Sequence, residues 1–281
     1  MENKSQKTVL GYLTYINKEN FSRRKENFLK SIDSFKKIKN KNKNITIVNF
    51  DNNSCKDIKK IIYDSNVFDK VYFFNDNFYD ISVLFGTYFY GKINGFKYMI
   101  YTYDDILYLD KEFLLSCEKL LDNNAEIDCI RLCDYEKNNP HYNTRYTSKQ
   151  INPDAINHYV SHKNNASITW FSKELIDNNE FNISDWHYTS RTSMFRIKSF
   201  EKLLNENKIL PVLSFFERYA YNFYKNNEIK TGVIEKGPFK TLAQHDSSNS
   251  ERLFLGDNYY RDKFVTTKDI IDIMEKIDES V

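Results

Sequence analysis

Two adjacent carboxylates, Asp104 and Asp105, interrupt an apolar and aromatic run that reads Tyr98-Met-Ile-Tyr-Thr-Tyr-Asp-Asp-Ile-Leu-Tyr-Leu-Asp110. Residues 98–103 predict a buried strand, and Ile106, Leu107 and Leu109 resume the apolar pattern. Acids fit poorly on a pleated, half-buried surface, and burying one unpaired is costly. A pair at this position calls for a compensating partner. A divalent cation is one candidate, because it takes oxygen ligands and shares them with phosphates. The alternative is a turn at the strand end, with both acids in water.

The elements before the pair decide where it sits. Residues 8–16 are β-rich and predict a first strand. Phe28, Leu29, Ile32, Phe35 and Ile38 recur at three- and four-residue spacings, which predicts an amphipathic helix over 21–38. A strand over 45–50 runs into the turn Asp51-Asn-Asn-Ser54. A short helix over 58–62 and a strand over 70–74 follow, and then Asn75-Asp-Asn77. A helix over 81–93 closes on Asn94-Gly95. Strands alternating with helices imply βαβ units and a parallel sheet covered on both faces. Such sheets bind ligands outside the carboxyl ends of their strands. Asn17, Asp51, Asn75, Asn77, Asp104 and Asp105 all fall at those ends, so six polar residues are expected to converge on one sheet edge.

The second half is less regular. It predicts a helix over 114–121, a strand over 128–133 and a polar loop over 137–160 holding Pro140 and Pro153. A strand over 166–171 comes next, then a helix near 200–204 entered through 193–196. An aromatic helix over 213–224 carries Glu217. A strand over 231–234, a segment leading to His245 and a helix over 269–277 complete the chain.

The totals narrow the function classes. The 281 residues include 21 Tyr and 22 Phe, too aromatic for a disordered chain. A net charge of +2, from 41 basic and 39 acidic residues, supplies no general field for nucleic acid. Cys55, Cys117, Cys129 and Cys133 lack zinc spacing and are expected to be reduced core thiols. No run of 18 apolar residues predicts a transmembrane segment, and the first residues lack an apolar signal core. The expectation is a soluble cytoplasmic protein, with peripheral attachment to a membrane left open.

The order of these parts resembles the GT-A glycosyltransferases, close to the family 2-like nucleotide-sugar transferases. The pieces that carry the resemblance are the first strand with Arg23 and Arg24 on the following helix, Ile47-Val-Asn-Phe-Asp-Asn-Asn-Ser54, Phe73-Phe-Asn-Asp-Asn77 and the acid-pair strand. Together they span roughly residues 8–113. The resemblance implies an α/β, GT-A (Rossmann-like) fold with a mainly parallel sheet flanked by helices. Residues 1–113 would form the nucleotide-sugar-binding half, and 114–281 a more irregular acceptor-binding and catalytic half of the same domain.

It further implies donor-binding roles for Tyr12, Thr14, Arg24, Asp51, Asn77, Asp104 and Asp105. Asp51 stands where the family contacts uracil or ribose. Asp105 stands at the last acid of the DxD motif, the one on the metal, while Tyr103 replaces the first. His245, in Gly237-Pro-Phe-Lys-Thr-Leu-Ala-Gln-His245, would return to that metal, Mn2+ or Mg2+. Glu217 would be the base of an inverting transfer, with Asp185 as a competing candidate. The donor would be a nucleoside-diphosphate sugar, UDP favoured, and the acceptor a glycan or a lipid-linked hydroxyl in polysaccharide biosynthesis.

Each residue also has a plainer role open to it. Asp51 can cap a turn, Glu217 can pair with Arg218 or Arg191 on a surface helix, and His245 can lie in a polar loop. Trp170 and Trp186 can be core or a platform for a sugar ring. Arg191 and Arg196 can contact phosphates or cover surface. Two other functions compete. A nucleotidyltransferase would need a Gly-rich basic loop after the first strand, which residues 12–20 lack. A non-catalytic binding module is favoured by Tyr103.

Overall fold

The computed structural model describes residues 7–42, 44–75, 77, 80–133, 170–184, 192–205, 209–211, 223–224, 226–242 and 264–266. The first half is built as the alternation predicts: β1 (Thr8–Thr14), α1 (Phe21–Lys41), β2 (Ile45–Asp51), α2 (Lys56–Asp64), β3 (Lys70–Phe73), α3 (Asp80–Ile93) and β4 (Tyr98–Tyr103). β5 (Ile106–Tyr108), α4 (Leu114–Asn123) and β6 (Ile127–Arg131) come next. A hairpin of β7 (Trp170–Ile176) and β8 (Asn179–Ser184) precedes β9 (Ser193–Arg196), α5 (Ile197–Asn205), β10 (Ile209–Pro211), β11 (Lys230–Ile234), β12 (Phe239–Thr241) and β13 (Phe264–Thr266).

Among the described residues, nine strands form one sheet in the order β3-β2-β1-β4-β9-β6-β11-β8-β7. β1 runs parallel to β2 and β4, and β2 to β3. The strand order therefore turns back between β1 and β4, a topological switch point, where ligands of open α/β sheets bind. β9 is antiparallel to both β4 and β6, so residues from beyond position 190 continue the sheet begun by residues 8–103. The α/β class and the mainly parallel first half are as expected.

Strand alternation assigns the two faces. Leu10 and Tyr12 of β1 lie in the cluster with Phe28, Ile32, Phe35 and Ile38 of α1, while Val9 and Leu13 join Val83, Phe85 and Tyr88 of α3 and Phe200 of α5. Leu29, expected in the α1 stripe, is instead 38% exposed. α3 lies close on the sheet, and Gly11 makes that possible: a Cβ there would fall 1.7 Å from Thr87 Oγ1. Thr87 cannot swing away cheaply, because its hydroxyl donates to the Val83 carbonyl and its branched side chain is stiff in a helix. Gly11→Ala is expected to destabilise the protein by about 1–3 kcal/mol, the usual range for overpacking, at an unchanged m-value in urea.

Several sequence expectations need adjustment. β1 ends at Thr14, not 16, and the helices run one to three residues past the predicted bounds at one or both ends. The β7–β8 hairpin was not expected beyond residue 171. The loop over 137–160, all but the end of the helix over 213–224, and the helix over 269–277 lie outside the described residues.

Candidate active site

The carboxyl ends of β1, β2, β3 and β4 are tied together by hydrogen bonds in their loops. The Asn52 amide N–H donates to the Thr14 carbonyl at 2.8 Å, and that of Phe74 to the Asp51 carbonyl at 2.8 Å. Asn52 Nδ2 donates to Asn77 Oδ1 at 3.1 Å, and Asn53 Nδ2 to the Asn75 carbonyl at 3.0 Å. Asn53 sits at φ 60°, a backbone region that Asn tolerates better than most residues. Asn17 lies in the loop after β1, where its Oδ1 accepts the Asn20 amide N–H at 3.0 Å, so all six polar residues follow the carboxyl ends of β1–β4.

Asp51 is fully buried at the end of β2. Its Oδ1 accepts the Ser54 amide N–H at 2.9 Å, so the carboxylate does cap the turn. Its Oδ2 is buried with no hydrogen-bond partner. Burial pushes this carboxyl up to about 6, hydrogen bonds from Ser54 hold it down, and the negative charge of Asp104 adds to the rise. An acid left half-satisfied at a ligand edge is costly unless something pairs with it.

Asp104 and Asp105 form the turn between β4 and β5. The two acids differ sharply. Asp104 is 3% exposed, with Oδ1 on the Arg24 guanidinium and Oδ2 accepting the Tyr15 amide N–H at 3.0 Å. Burial raises the Asp104 carboxyl while Arg24 pulls it back, and the same pairing raises the Arg24 guanidinium. Asp105 is only half-buried. Its carbonyl accepts the Leu242 amide N–H at 2.7 Å, because β12 runs antiparallel to β5 and delivers the chain to this turn. His245 is three residues further on and lies outside the described residues, as do Glu217, Asp185, Trp186 and Arg191.

Three assigned donor residues are employed differently. Tyr12 points into the core under α1: its ring meets Phe35 edge-on at 4.9 Å and its hydroxyl pairs with Ser31 Oγ at 2.7 Å. Being on the same strand face as Leu10, it cannot present its side chain to the edge. Thr14 is fully buried and its hydroxyl accepts Asn49 Nδ2 at 2.8 Å. Arg24 is committed to Asp104 and to the Tyr15 carbonyl, which accepts Nη1 at 2.9 Å. Arg196 is structural. Its Nε lies 3.1 Å from both Asp128 and the Ile127 carbonyl, and its Nη2 caps the Asn124 carbonyl at 2.7 Å, near the end of α4. Cys117, Cys129 and Cys133 are buried and form no disulfide, as expected, whereas Cys55, also expected in the core, is only half-buried.

Asn20 is a residue that sequence reasoning misses. It is 9% exposed at the N-cap of α1, and both its side-chain amide atoms lack a hydrogen-bond partner. An Asn immediately before a long amphipathic helix reads as an ordinary cap, so the sequence carries no signal that its side chain leaves the helix amides uncapped.

Asp105, half-buried beside the Arg24-paired Asp104, offers carboxylate oxygens of the kind a hard cation takes. Among the described residues, no three His, Cys, Asp or Glu side chains cluster as a complete cage. Among the described residues, no helix is long and apolar enough to cross a membrane.

No family model and no curated protein matches the sequence. Solved structures are similar in chain course. TarS from S. aureus aligns over 95% of this chain and 42% of its own, at 14% identity and a TM-score of 0.47. TarS 1-349 in complex with UDP-GlcNAc aligns over 95% and 64%, at 15% identity and a TM-score of 0.44. The mannosyltransferase PcManGT from Pyrobaculum calidifontis, in complex with GDP-Man and Mn2+, aligns over 97% and 69%, at 8% identity and a TM-score of 0.46. The chain thus spans less than two thirds of either TarS structure.

Proposed function

We propose that the chain is a glycosyltransferase that moves a sugar from a nucleoside-diphosphate donor, UDP favoured, to a hydroxyl of a glycan or lipid-linked acceptor. The observation that carries this is the buried Asp51 carboxylate, with one oxygen unpaired, on the same switch-point edge as the half-buried Asp105. One acid suits the hydroxyls or N–H of a nucleoside, and the other suits a cation shared with a diphosphate. UDP-GlcNAc and GDP-Man, the ligands of the similar structures, are of that class.

Asp51 Oδ2 accepts a donor hydrogen bond from the nucleoside, which satisfies a buried group and so favours binding. Asp105 and His245 would hold Mn2+ or Mg2+, and the cation would supply neutralisation of the charge that develops on the departing diphosphate. The acceptor oxygen attacks the anomeric carbon, the carbon–oxygen bond to the diphosphate breaks, and the acceptor proton passes to Glu217. That single displacement inverts the anomeric centre. A carboxylate base of this kind contributes typically ~100- to 10,000-fold in rate. Asp185 is the competing base.

A second reading, a GT-A-like module that binds without turnover, is favoured by Tyr103. Its half-buried ring packs edge-on against Tyr101 at 6.0 Å, so the first DxD position offers a phenol in place of a carboxylate. Calorimetric titration with UDP and with GDP, each with and without Mn2+, tests the common premise. UDP is expected to bind, and more tightly with Mn2+. No heat with either nucleotide in either condition would remove both readings. A panel of nucleotide-sugars scored by release of free nucleotide then separates them: release supports the transferase, and binding without release supports the module.

A further inference from the structure

We infer that the N-terminus of α1, with Asn20 at its head, is a binding site for a sugar or polyol phosphate: the helix end takes the phosphate, and the Asn20 carboxamide bridges it to a neighbouring hydroxyl. The site does not depend on the function proposed above, and neither uridine nor a metal ion takes part in it.

Asn20 is the residue that points to a ligand. Its backbone is fully employed: the amide N–H donates to Asn17 Oδ1 at 3.0 Å, and the carbonyl accepts the Arg24 amide N–H at 3.0 Å. The side chain is 9% exposed, and neither Nδ2 nor Oδ1 has a hydrogen-bond partner in the protein. At φ −102° and ψ 3° the backbone is not the extended one from which an N-cap side chain reaches the helix amides, and no capping bond forms. A whole carboxamide buried without partners costs free energy that a bound ligand recovers. Because Nδ2 donates and Oδ1 accepts, its complement must carry an acceptor and a donor together. A bare oxyanion such as sulfate satisfies only Nδ2. A phosphate ester beside an alcohol satisfies both atoms.

The helix supplies the charge. α1 is 21 residues long, its first turn holds no acid, and its first amides have no intrahelical acceptor. Such an end carries about half a positive charge and takes oxyanions. Lys18 and Lys25 stand on either side of Asn20 in the chain, and Lys25 Nζ lies 4.9 Å from the centre of the Phe21 ring, one residue past Asn20. Two acids at this end of the helix are already paired, Asp104 with Arg24 and Glu26 with Lys30. The loop that carries Asn20 crosses the switch point: the Ile16 amide N–H donates to Ser54 Oγ at 3.0 Å, and that of Tyr15 to Asp104 Oδ2 at 3.0 Å. A phosphate held at the head of α1 is therefore on the ligand edge of the sheet.

An NMR titration of the intact chain tests this, without divalent metal and at constant ionic strength, by following the amide resonances of residues 20–23. Glycerol 3-phosphate is expected to shift them saturably, and glycerol to leave them unmoved. N20A should weaken glycerol 3-phosphate binding by about tenfold, through loss of a hydrogen bond to a charged group. N20D should abolish binding, because it sets a carboxylate against the phosphate. Its thermal midpoint should stay within a few degrees of wild type, since Asp is as good an N-cap as Asn. That split separates a ligand contact from a purely structural asparagine, and either variant suffices if the other does not fold. UMP then distinguishes the sources. Mutual exclusion of UMP and glycerol 3-phosphate supports the site and gives it the phosphate of a nucleotide donor. Simultaneous binding supports it too, and gives it a phosphate carried by the acceptor. Resonances unmoved by glycerol 3-phosphate would overturn the inference, as would N20A and N20D variants that bind it like the wild type. A chain that binds glycerol 3-phosphate but no UDP loses the nucleotide reading and keeps this site.

Discussion

Asp105→Ala is expected to lower metal-dependent sugar transfer by at least ~100-fold while the protein stays folded. The size follows from the role of the ion. A cation that neutralises a leaving diphosphate is worth several kcal/mol in the transition state, and ~2.7 kcal/mol is already a hundredfold. The survival of the fold follows from the position. Asp105 is half-buried in a turn, and the contact that secures this turn to β12 uses its backbone carbonyl, which Ala retains. Nucleotide release from the preferred donor should fall across all Mn2+ concentrations, with the thermal midpoint within a few degrees of wild type. Turnover at the wild-type rate would remove Asp105 from the metal, and a collapsed melting curve would make it structural instead.

The second large effect concerns Asp51 and pH. Its carboxyl is held at about 6 in the folded protein, against 3.8 as the ordinary value. Between those two pH values the unfolded chain has lost the proton and the folded chain keeps it, so stability falls as pH rises. That rise corresponds to about 3 kcal/mol, lost as the pH passes from 4 to above 6. Asn in its place keeps an oxygen for the Ser54 amide and never ionises. Urea midpoints for wild type and Asp51→Asn, compared at pH 4 and pH 7.5, should therefore diverge by about 3 kcal/mol in favour of the variant at the higher pH. Asp104 titrates in both proteins and largely cancels. If Asp51 meets the nucleoside as proposed, the same variant should bind UDP more weakly, because an acceptor oxygen becomes an amide. A stability difference that does not change with pH would mean that Asp51 stays ionised throughout.

Much of this is legible in the chain. The first four strands and three helices follow from period and turn chemistry, because their cues are local: the α1 stripe, Asn94-Gly95 with Gly95 at φ 73°, and the polar residues after each strand. The β7–β8 hairpin escapes because its turn is Asp177-Asn178, both in the left-handed region at φ 46° and 68°, without the glycine that usually announces such a turn. The place of β9 between β4 and β6 is hidden, since it depends on pairing across ninety-odd residues. The site is legible in part. Asp51, Asn77 and the acid pair stand out by their position after strands. The unequal fates of Asp104 and Asp105 do not, because they depend on Arg24, eighty positions away, and on which acid the turn buries. Tyr12 lies near its strand end, which suggests a ligand contact; its strand face, shared with Leu10, carries the better information.

The insertion of β9 also sets an order of events during synthesis. β4, Tyr98-Met-Ile-Tyr-Thr-Tyr, pairs with β1 on one side as soon as the first half has left the ribosome. Its other side must wait for Ser193–Arg196, which lies 90 residues after Tyr103. At ~5–20 residues per second that interval is roughly 5–20 s. Throughout it the nascent chain presents an aromatic strand with an open edge, the kind of surface that recruits other strands. The stretch that carries the acid pair is thus also one whose edge a growing polypeptide must keep from other strands.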